Sequence, residues 1–488
     1  MSVDSIISGT PGSSRHPIDV VIMAAGKGTR MKSRLPKVLH ALAGKPLLMH
    51  VVDVARVLHA RNTVVITGHG AAQVKNALAH YGTSTAMDGL HYVLQEPQLG
   101  TGHAVAQAMP VVPDDGLVVV LSGDVPLTRA DTLRALLAAS GGDKLALLTI
   151  DFEDPTGYGR IVRSQANGSD KDGAVRAIVE QKDATEAQRA IREIYSGIMV
   201  APARYLKQWL ARLDNSNAQG EYYLTDIVKF AVADGVPVVA HKIDDAIQVA
   251  GINSPVQLAQ LERSYQRRVA SRLMEQGVRL ADPERLDVRG SLVCEQDVSI
   301  DINCIFEGHV ELAEGVRIGA HCVIANASIA PNAVIHPFTH IDGEKAGVYV
   351  GEGALVGPFA RLRPGAVLGE QVHIGNFVEV KNSTLATGAK ANHLAYLGDA
   401  YVGERVNYGA GSITANYDGA NKHRTTIEAD VHVGSNCVLV APVTLGAGST
   451  IGAGSTITKD VDPGVLGVVR GTLISKANWV RPKKARSE

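Results

Sequence analysis

Two patterns of apolar positions divide the chain. From about Pro17 to Lys242, short runs of Val, Ile and Leu ending in Gly alternate with longer amphipathic segments. Continuous apolar runs bounded by Gly are typical of strands buried on both faces, and the segments between them fit crossover helices. The pattern therefore predicts a doubly wound parallel sheet. The predicted strands lie in IDVVIMAAG, NTVVITGHG, HYVLQEPQLGTG and LVVVLSGDVPL.

From Asp287 to about Val469, apolar residues recur every six positions, and Gly often follows them. A period of six suits neither an α-helix nor an alternating strand, but it is typical of the coils of a parallel β-helix. A smaller residue, such as Ala354 or Val378, stands four positions after each large one and is expected to point inward beside it. The large positions are Ile300, Phe306, Leu312, Ile318, Ile324, Val350, Val356, Leu362, Leu368, Ile374, Val380, Val433, Leu439, Leu445, Ile451 and Ile457.

The four cysteines follow this six-residue phase. Cys304, Cys322 and Cys437 stand at the small inward position, and Cys294 stands at a large one. Without a CxxC motif they are predicted to be buried packing residues in a reducing compartment, and a metal cluster is the alternative.

Between the two patterns, NSPVQLAQLERSYQRRVASRLMEQG predicts one helix that links two domains. Ser254 is the expected N-cap, Pro255 the first helical residue, Gln257 the capping-box partner and Gly277 the C-terminal stop.

Composition narrows the possible functions. The 488 residues are enough for two or three domains. Lys and Arg number 48 against 49 Asp and Glu, so no overall field favours nucleic acid or an anionic membrane. The first sixteen residues lack the features of a signal peptide, and no apolar stretch is long enough to cross a membrane. A soluble, cytoplasmic protein is expected.

The stretch AAGKGTRMKSRLPK predicts a phosphate site. Gly26-Lys27-Gly28 is expected where the first strand ends and the first helix begins, a place where free N–H groups and a helix dipole attract anions. Met31 stands where the dinucleotide-binding fingerprint GxGxxG needs its third glycine. The stretch also does not match the phosphate-binding pattern GxxxxGK[ST]. A solvated basic loop is the alternative. The cations that would match a triphosphate are Lys27, Arg30, Lys32, Arg34 and Lys37.

The same stretch resembles the signature AAGxGTRMxxxxPK of sugar-phosphate nucleotidyltransferases. The segments QLGTGHA, LSGDVPL, DPTGYGRI and VEQKDAT agree with that family. Asp124 follows a predicted parallel strand at its C-terminal end, where ligands bind, although a helix-capping Asp is the alternative. The resemblance implies that Asp124 and Asn253 hold Mg²⁺.

For that family the implied reaction is in-line attack of a sugar 1-phosphate oxygen on the α-phosphorus of a nucleoside triphosphate. Mg²⁺, Lys37 and Arg30 would neutralise charge as pyrophosphate leaves. The family usually has Asn where this chain has Tyr195. By resemblance, Gln95, Gly100 and Thr101 read a uracil base. Gly159 and Glu180 contact the sugar. The full set of residues implied to bind UTP or the nucleotide sugar is Met23, Ala24, Ala25, Gly26, Lys37, Gln95, Gly100, Thr101, Ser122, Gly123, Asp124, Gly159, Glu180, Tyr195 and Asn253.

Irregular blocks such as NHLAYLGDA and RVNYGAGSITANYDGANKHRT interrupt the six-residue repeat. With them, nearly the whole chain after residue 17 resembles the bacterial bifunctional N-acetylglucosamine-1-phosphate uridyltransferases and glucosamine-1-phosphate acetyltransferases. The implied fold is an α/β, Rossmann-like nucleotidyltransferase domain, a linking helix and a left-handed parallel β-helix of hexapeptide repeats. The expected bounds are 1–16 for a flexible tail, 17–253, 254–277 and 278–488, the last including a C-terminal tail.

The resemblance also implies the residues of an acetyltransferase site. His393 would be the general base, because a neutral imidazole can accept a proton from a sugar amine near pH 7. Arg363 and Lys381 would bind the sugar phosphate, with Tyr396 adding a hydroxyl. Asn407 would bind the sugar and Asn416 the amine. The backbone N–H near Ala410 would meet the oxyanion that forms from the thioester. The residues implied to line the acetyl-coenzyme A site are Ala410, Asn416, Tyr417, Ser435, Ala453 and Arg470.

The implied substrates are glucosamine-1-phosphate, N-acetylglucosamine-1-phosphate, UTP and acetyl-coenzyme A, with Mg²⁺ as cofactor and a homotrimer that builds the acetyl site between copies. No nucleic-acid or membrane partner is expected, and the basic end RPKKARSE is interpreted as a solvated tail.

One alternative function keeps only the nucleotidyltransferase activity and makes the β-helix regulatory. Others are a non-catalytic exchange-factor subunit and a zinc hydratase using three of His309, His321, His373 and His432.

Overall fold

The computed structural model describes residues 16–82, 89–164 and 173–481, with only the backbone described at 80–82. The predicted N-terminal tail and the C-terminal basic run lie outside the described residues, apart from His16 and Arg481. The chain forms two compact units, Met1–Ser264 and Tyr265–Glu488, which we call the sheet unit and the coil unit. Within the described residues, no helix combines the length and the apolar character needed to cross a membrane.

The sheet unit contains one central sheet. The strands of this unit are β1 (Ile18–Met23), β2 (Ala41–Leu42), β3 (Lys45–Pro46), β4 (Asn62–Thr67), β5 (Leu90–Leu94), β6 (Leu117–Ser122), β7 (Leu145–Asp151), β8 (Arg160–Arg163), β9 (Val175–Val179), β10 (Glu193–Pro202) and β11 (Val238–Ile243). The main path of the central sheet runs β11-β7-β10-β6-β1-β4-β5, with the four predicted apolar strands next to one another at one end, the ribbon β8-β9 attached to β10, and β2 and β3 paired separately. The helices of this part of the chain are α1 (Leu47–Val57), α2 (Ala71–Gly82), α3 (Thr101–Ala108), α4 (Ala130–Ser140), α5 (Glu186–Arg189), α6 (Ala203–Leu210) and α7 (Ile227–Ala233).

The sheet is mixed, so the prediction of a parallel sheet is wrong at β10 and within the ribbon β8-β9. β10 runs antiparallel to both β6 and β7, and its first residue Glu193 pairs with Asp151, the last residue of β7. The only helix described between β7 and β10 is the four-residue α5. Because no long crossover helix returns the chain to the other edge, β10 enters the sheet at the carboxyl end of β7 and must run the opposite way.

Both faces of the sheet are buried at its central strands, as the continuous apolar runs predicted, but the edge strand β5 is only partly buried. In β1, Val20 and Ile22 join one apolar cluster, while Val21 between them joins the other. Alternate side chains of a strand point to opposite faces, so this division places a layer of core on each side.

The phosphate loop after β1 differs from its prediction. A single 3₁₀ turn covers Thr29–Met31, and the first α-helix begins only at Leu47. Gly28 and Lys32, which flank the turn, have φ values of 58° and 49°. A right-handed helix cannot continue through left-handed residues, so no helix dipole starts at this loop.

The coil unit is a parallel β-helix with three faces. An eleven-stranded sheet forms the first face, and the two halves of a sixteen-stranded sheet form the second and third faces. The first face comprises Arg279–Leu280, Ser299–Ile300, Arg317–Ile318, Val334–Ile335, Leu355–Val356, His373–Asn376, Lys390–His393, Asn407–Tyr408, His432–Val433, Thr450–Ile451 and Leu466–Gly467. The second comprises His340–Asp342, Arg361–Leu362, Glu379–Lys381, Tyr396–Gly398, Ile413–Ala415, Val438–Val440 and Thr456–Ile457. The third comprises Val348–Val350, Val367–Leu368, Thr384–Leu385, Ala400–Val402, Thr425–Ile427 and Val443–Leu445, and three longer strands, Leu286–Cys294, Cys304–Leu312 and Val323–Ile329, begin the second and third faces.

Successive faces meet at three corners. We call the corner between the first and second faces the first corner, the next one the second corner, and the corner between the third and first faces the third corner. At each corner the backbone turns through a residue with positive φ, such as Phe377, Asn382 and Gly388.

The six-residue phase is confirmed, because every predicted large position is at most 5% exposed. Cys304, Cys322 and Cys437 are buried, and all four cysteines are free. Cys294 is only half-buried, which corrects its prediction. It lies on the first of the long strands, where its strand partner among the described residues is Leu312 of the next coil.

The helix between the two patterns runs from Pro255 to Glu275, and Gly277 after it has a φ of 96°. Ser254 Oγ accepts the Gln257 N–H at 3.3 Å, as an N-cap should. The Gln257 side chain accepts the N–H of Asn253 at 2.8 Å instead of that of Ser254, so the expected capping box is shifted by one residue.

Candidate functional sites

In the sheet unit, the two predicted metal ligands converge on one lysine. Lys37 Nζ lies 2.5 Å from Asp124 Oδ2 and donates to Asn253 Oδ1 at 3.1 Å. Asp124 follows the end of β6, and its carbonyl oxygen accepts the N–H of Ile252 at 3.0 Å. This backbone bond brings Asn253 beside Asp124 although 128 residues separate them in the sequence.

The donor set of this cluster fits Mg²⁺. Carboxylate and amide oxygens are ligands that Mg²⁺ accepts, and it commonly takes only one or two of them from the protein, with phosphate and water as the others. The Lys37 ammonium already lies between the two oxygens, which marks a place for positive charge. Among residues 16–82, 89–164 and 173–481, no group of three or more His, Cys, Asp or Glu side chains could hold a metal.

The glycine loop positions Lys37. A Cβ on Gly28 would come within 2.7 Å of Lys37 Cβ, and the φ of Gly28 is 58°. Both facts require glycine there. A Cβ on Gly26 would meet open space, so this part of the loop is free to approach a ligand. Arg30 is exposed on the short turn that follows.

The floor of the site comes from two neighbouring strand ends. Met23 of β1 pairs with Ser122 of β6, and the Gly123 N–H donates to the Met23 carbonyl at 2.9 Å. Ala24 and Ala25 are buried. These predicted residues are therefore gathered at the carboxyl edge of the sheet, where open α/β sheets bind ligands.

The residues expected to read the base also lie together. Gln95 is buried, and its Nε2 donates to the Gly100 carbonyl at 2.9 Å. Thr101 Oγ1 accepts the Leu224 N–H at 3.1 Å. A Cβ on Gly100 would lie 2.7 Å from the Tyr222 carbonyl oxygen. The segment around Tyr222 and Leu224 therefore supports this loop, a role that no motif in the sequence predicted.

At the sugar end, Gly159, Glu180 and Tyr195 are neighbours. The Tyr195 N–H donates to the Gly159 carbonyl at 2.9 Å, and a Cβ on Gly159 would lie 3.6 Å from Glu180 Oε1. Burial raises the pKa of the Glu180 carboxyl, against a hydrogen bond from the Thr225 hydroxyl that lowers it. A cavity of about 310 Å³ lies beside Glu180, Thr225 and Tyr223.

Tyr195 itself carries a buried polar atom with no hydrogen bond. Its side chain is 7% exposed, and within the described part of the chain Oη has no partner. Burial and then the Glu180 charge raise the pKa of this phenol. An unpaired buried hydroxyl costs free energy, so a ligand that supplied a partner would recover it.

Arg160 is a residue that sequence reasoning missed in this unit. Its guanidinium is buried, donates to Gln181 Oε1 at 2.5 Å and also donates to the Tyr158 carbonyl. These bonds tie the loop that carries Gly159 to the residue after Glu180. The only sequence signal was its place in the segment DPTGYGRI.

In the coil unit, His393 is exposed at the end of a first-face strand, directly above Asn376 of the previous coil. His393 Nδ1 lies 2.9 Å from Asn376 Oδ1. An amide oxygen only accepts, so this pairing assigns the proton to Nδ1 and leaves Nε2 free to accept one. A cavity of about 480 Å³, lined by Phe359, Phe377 and Asn376, opens beside His393.

Small residues continue the His393 position through the following coils. Ala410, Ser435 and Ala453 occupy it in turn, and the Arg470 guanidinium donates to the Ala453 carbonyl. Because neighbouring strands lie about 4.8 Å apart, this column is about 14 Å long and can accommodate an extended chain. Backbone hydrogen bonds connect these coils. The Gly411 N–H donates to the His393 carbonyl (3.3 Å), the Asn436 N–H to the Ala410 carbonyl (2.8 Å) and the Gly454 N–H to the Ser435 carbonyl (2.8 Å).

The second face holds the residues expected to bind the sugar phosphate. Arg363 Nη1 lies 2.8 Å from Glu379 Oε1, and Lys381 pairs with Gly398 of the next coil. A Cβ on Gly398 would lie 2.3 Å from Tyr396 Oη, so this glycine makes room for the Tyr396 hydroxyl.

Lys422 is a third cation that the sequence reasoning did not identify. Burial lowers the pKa of Lys381 most, followed by contact with Lys422 and repulsion from Arg363. A cation whose pKa is lowered by neighbouring cations is poised to bind an anion. Lys422 lies in the irregular loop, where no repeat pattern marks it.

Asn416 and Tyr417 also lie toward the second corner. Asn416 Nδ2 donates to Asp399 Oδ2, and Asp399 is the second-corner residue that follows Gly398. Tyr417 is 62% exposed and forms a backbone bridge with Lys422. The irregular loop is therefore placed beside Lys381.

The predicted acetyltransferase residues thus form two groups in one chain. We call His393, Ala410, Ser435, Ala453 and Arg470, with Asn407 on the same first face, the base half-site. We call Arg363, Lys381, Tyr396, Asn416 and Tyr417 the phosphate half-site. Lys381 lies five positions after Asn376, the residue below His393, along the same coil, a path of about 16 Å across the second face.

The histidines proposed for a zinc hydratase have other contacts. His309 Nε2 lies 3.0 Å from Glu311 Oε1, and His321 stacks on Phe338 with 4.8 Å between ring centroids. Neither joins a group that could hold a metal within the described residues.

Comparisons with known proteins agree with both units. Residues 20–187 match the MobA-like NTP transferase domain, and residues 347–382 and 424–459 match the bacterial transferase hexapeptide repeats. A solved UDP-glucose pyrophosphorylase with UDP-glucose covers 52% of this chain and 99% of its own, at 16% identity and a TM-score of 0.42, which is too weak to support an argument.

Relatives named "Bifunctional protein GlmU" match along almost the whole chain. The protein of Albidiferax ferrireducens is 72% identical over 472 residues, covering 96% of this chain and all of its own length. The protein of Polaromonas naphthalenivorans is 73% identical, and the match covers 96% of this chain and 98% of the relative. That of Herminiimonas arsenicoxydans is 56% identical, covering 96% and 100%. The chain belongs to the family of bifunctional GlmU proteins.

Proposed function

We propose that this chain is a bifunctional enzyme that makes UDP-N-acetylglucosamine. This nucleotide sugar is a precursor of bacterial envelope polymers. It transfers an acetyl group from acetyl-coenzyme A to glucosamine-1-phosphate and then a uridylyl group from UTP to N-acetylglucosamine-1-phosphate. The observation that carries the proposal is the presence of two separate sites in two units. One is the Lys37, Asp124 and Asn253 cluster, and the other is the His393 column.

In uridylyl transfer, an oxygen of the sugar phosphate attacks the α-phosphorus of UTP, and pyrophosphate leaves. Lys37 neutralises the charge that develops on the phosphates, and Arg30 on the exposed turn after the loop adds a second cation. Asp124 and Asn253 would hold Mg²⁺, which supplies a Lewis acid to the phosphate oxygens. Gln95, Gly100 and Thr101 orient the base, and Gly159 and Glu180 hold the sugar.

In acetyl transfer, the amine of glucosamine-1-phosphate attacks the thioester carbon. His393 Nε2 accepts the proton that the nitrogen loses, and the carbon–sulfur bond breaks to release coenzyme A. Asn376 holds the imidazole in the required tautomer through Nδ1. The Ala410 N–H faces the developing oxyanion, and the small column of Ser435 and Ala453 accommodates the extended coenzyme.

The assembly we propose is a homotrimer with the acetyl site between copies. The two half-sites lie at different corners of one chain, so a neighbouring copy would bring a phosphate half-site to the base half-site. A cyclic assembly satisfies every copy in the same way. We further propose that the metal is Mg²⁺, the nucleotide UTP and the location the cytoplasm.

The test is to incubate the protein with glucosamine-1-phosphate, acetyl-coenzyme A, UTP and Mg²⁺, omitting one component at a time. We expect free thiol without UTP, and pyrophosphate only when the acetylated sugar phosphate is present. EDTA should stop pyrophosphate release and leave thiol release intact. Pyrophosphate without any thiol would support the alternative of a nucleotidyltransferase with a regulatory β-helix.

A further inference from the structure

The linking helix begins at the segment that carries Asn253. It runs from Pro255 to Glu275, and its residues up to Ser264 belong to the sheet unit. In a standard capping box, the side chain of the third helical residue accepts the N–H of the N-cap residue. Here Gln257 reaches one residue further, and its Oε1 accepts the N–H of Asn253 at 2.8 Å. The start of the helix is therefore bonded to the proposed metal ligand itself.

Two consecutive backbone N–H groups hold the Asn253 segment in place. The Ile252 N–H donates to the Asp124 carbonyl at 3.0 Å, and the next N–H, that of Asn253, donates to Gln257. Lys37 Nζ contacts both Asn253 Oδ1 and the Asp124 carboxylate, so the amide oxygen and the carboxylate face the same point. A ligand residue whose backbone is fixed in this way is oriented before the metal arrives.

The same end of the linking helix is itself held against the phosphate loop. Leu261 joins Ile252 and Met31 in one apolar cluster, and all three are at most 5% exposed. Met31 is the last residue of the 3₁₀ turn in that loop. The Ala43 N–H donates to Glu262 Oε2 at 2.8 Å, which adds a polar contact to the chain that follows Lys37. These contacts give Gln257 a rigid base from which to hold Asn253.

We propose that Gln257 is a positioning residue for uridylyl transfer, holding the Asn253 backbone so that the amide oxygen meets the divalent cation that accompanies UTP. Without this acceptor the Asn253 N–H bonds to water, and the amide is no longer directed toward Asp124. The metal then contributes less to the binding of UTP. This inference rests on the proposed uridylyltransferase site, and it gives a function to a residue that the sequence assigned only to a helix cap.

The test replaces Gln257 by Ala. Gln257 is exposed on the helix surface, so the change leaves no cavity in the core. UTP binding is measured by calorimetry without sugar phosphate, once with Mg²⁺ and once with EDTA, so that no turnover occurs. Q257A should raise the dissociation constant of UTP about fivefold with Mg²⁺ and leave it unchanged in EDTA. The kcat/KM of uridylyl transfer should fall by a similar factor, while acetyl transfer stays at the wild-type rate.

Two single variants serve as controls. Q257E keeps an acceptor oxygen at the same reach, and Glu is a usual residue at this capping-box position, so UTP binding with Mg²⁺ should stay within about twofold of wild type. Q260A removes an exposed Gln one turn later on the same helix and should change neither dissociation constant. Equal loss of affinity in Q257A with Mg²⁺ and with EDTA would overturn the inference, because Gln257 would then support the fold and not the metal ligand.

A double variant tests whether Gln257 acts through Asn253. N253A alone should weaken UTP binding with Mg²⁺, and adding Q257A should weaken it no further, because the amide that Gln257 positions is already gone. Effects that multiply in the double variant would contradict the inference.

The results also separate this inference from the proposed function. If the wild-type protein releases no pyrophosphate, the proposed function is wrong, but a loss of Mg²⁺-dependent UTP affinity in Q257A would still support the role of Gln257. If the wild-type protein is fully active and Q257A binds UTP equally well, the inference is wrong and the proposed function stands.

Discussion

The sheet unit and the coil unit gather their functional residues in different ways. In the sheet unit, Lys37, Asp124 and Asn253 come from distant parts of the sequence and meet within hydrogen-bond distance in one chain. In the coil unit, His393 and Lys381 are only twelve positions apart in sequence, yet His393 lies on the first face at the first corner and Lys381 lies on the second face beside the second corner.

The difference follows from the two topologies. The parallel strands of an open sheet end at one edge, and the loops that follow them converge on a common crevice. A solenoid coil contacts only the coils before and after it, so residues on different corners stay apart however close they are in sequence. The fold thus predicts a uridylyl site within one copy and an acetyl site shared between copies.

The largest expected effect separates the two sites by chemistry. Asp124→Ala removes the carboxylate that faces Lys37, so uridylyl transfer should fall by at least about 10³-fold while acetyl transfer stays near wild type. Pyrophosphate and thiol release measured on the same preparation check this. Asp131→Ala, at an exposed helical Asp, is the control and should change neither rate. Loss of both activities in Asp124→Ala would show that this residue supports the fold instead.

His393→Ala should give the reverse result. Without the imidazole, acetyl transfer should fall by about 10²–10⁴-fold, and uridylyl transfer of supplied N-acetylglucosamine-1-phosphate should be unchanged. Thiol release is the direct measurement. Wild-type thiol release in this variant would remove His393 as the base.

A smaller effect concerns pH dependence at the phosphate half-site. Burial, Lys422 and Arg363 all lower the pKa of Lys381, so the ammonium that we propose binds phosphate is lost at a lower pH than for an ordinary lysine. The KM for glucosamine-1-phosphate should therefore rise on the alkaline side. Lys422→Ala should raise the Lys381 pKa and move this rise to higher pH, while increasing KM about fivefold at neutral pH through the lost charge.

The control for that experiment is Lys459→Ala, an exposed lysine near the end of the coils. It should change neither KM nor the pH profile. A profile of Lys422→Ala that is unshifted, or shifted to lower pH, would contradict the contact with Lys381.

The smallest expected effect lies at Tyr195. Tyr195→Phe removes a buried hydroxyl that has no partner among the described residues, so the free protein should gain about 1 kcal/mol in stability. The KM for N-acetylglucosamine-1-phosphate should rise about fivefold, because the sugar would satisfy this hydroxyl in the complex. Thermal unfolding measures the expected gain in stability, and initial rates measure the expected rise in KM. A variant that is stabilised but has an unchanged KM would show that the hydroxyl does not contact the sugar.

Much of the fold could be predicted because its packing rules are periodic. Ile318 or Val356 had to point inward once the period of six was recognised, and both are buried. The direction of β10 could not be read in the same way, because an apolar run indicates burial but not orientation. The 3₁₀ turn after Gly28 was missed because the left-handed conformation of Lys32 is not visible in its residue type.

The site residues divide along similar lines. Residues within a motif, such as Lys37 and Asp124, could be predicted because the motif places each of them. Asn376, Lys422 and Arg160 could not, because their roles depend on which coil or loop lies beside them. The separation of His393 from Lys381 was also hidden, since it depends on the left-handed corner at Phe377 and Leu394.

The central claim, that one site lies within a copy and the other between copies, is best tested by mixing inactive variants. Lys381→Ala and His393→Ala should be coexpressed in equal amounts, so that they assemble at random. If each acetyl site takes its base from one copy and its phosphate group from the next, about one quarter of wild-type acetyl transfer should return. The matching mixture of Lys37→Ala and Asp124→Ala should recover no uridylyl transfer. Failure of the first mixture to recover, or recovery in the second, would contradict the account.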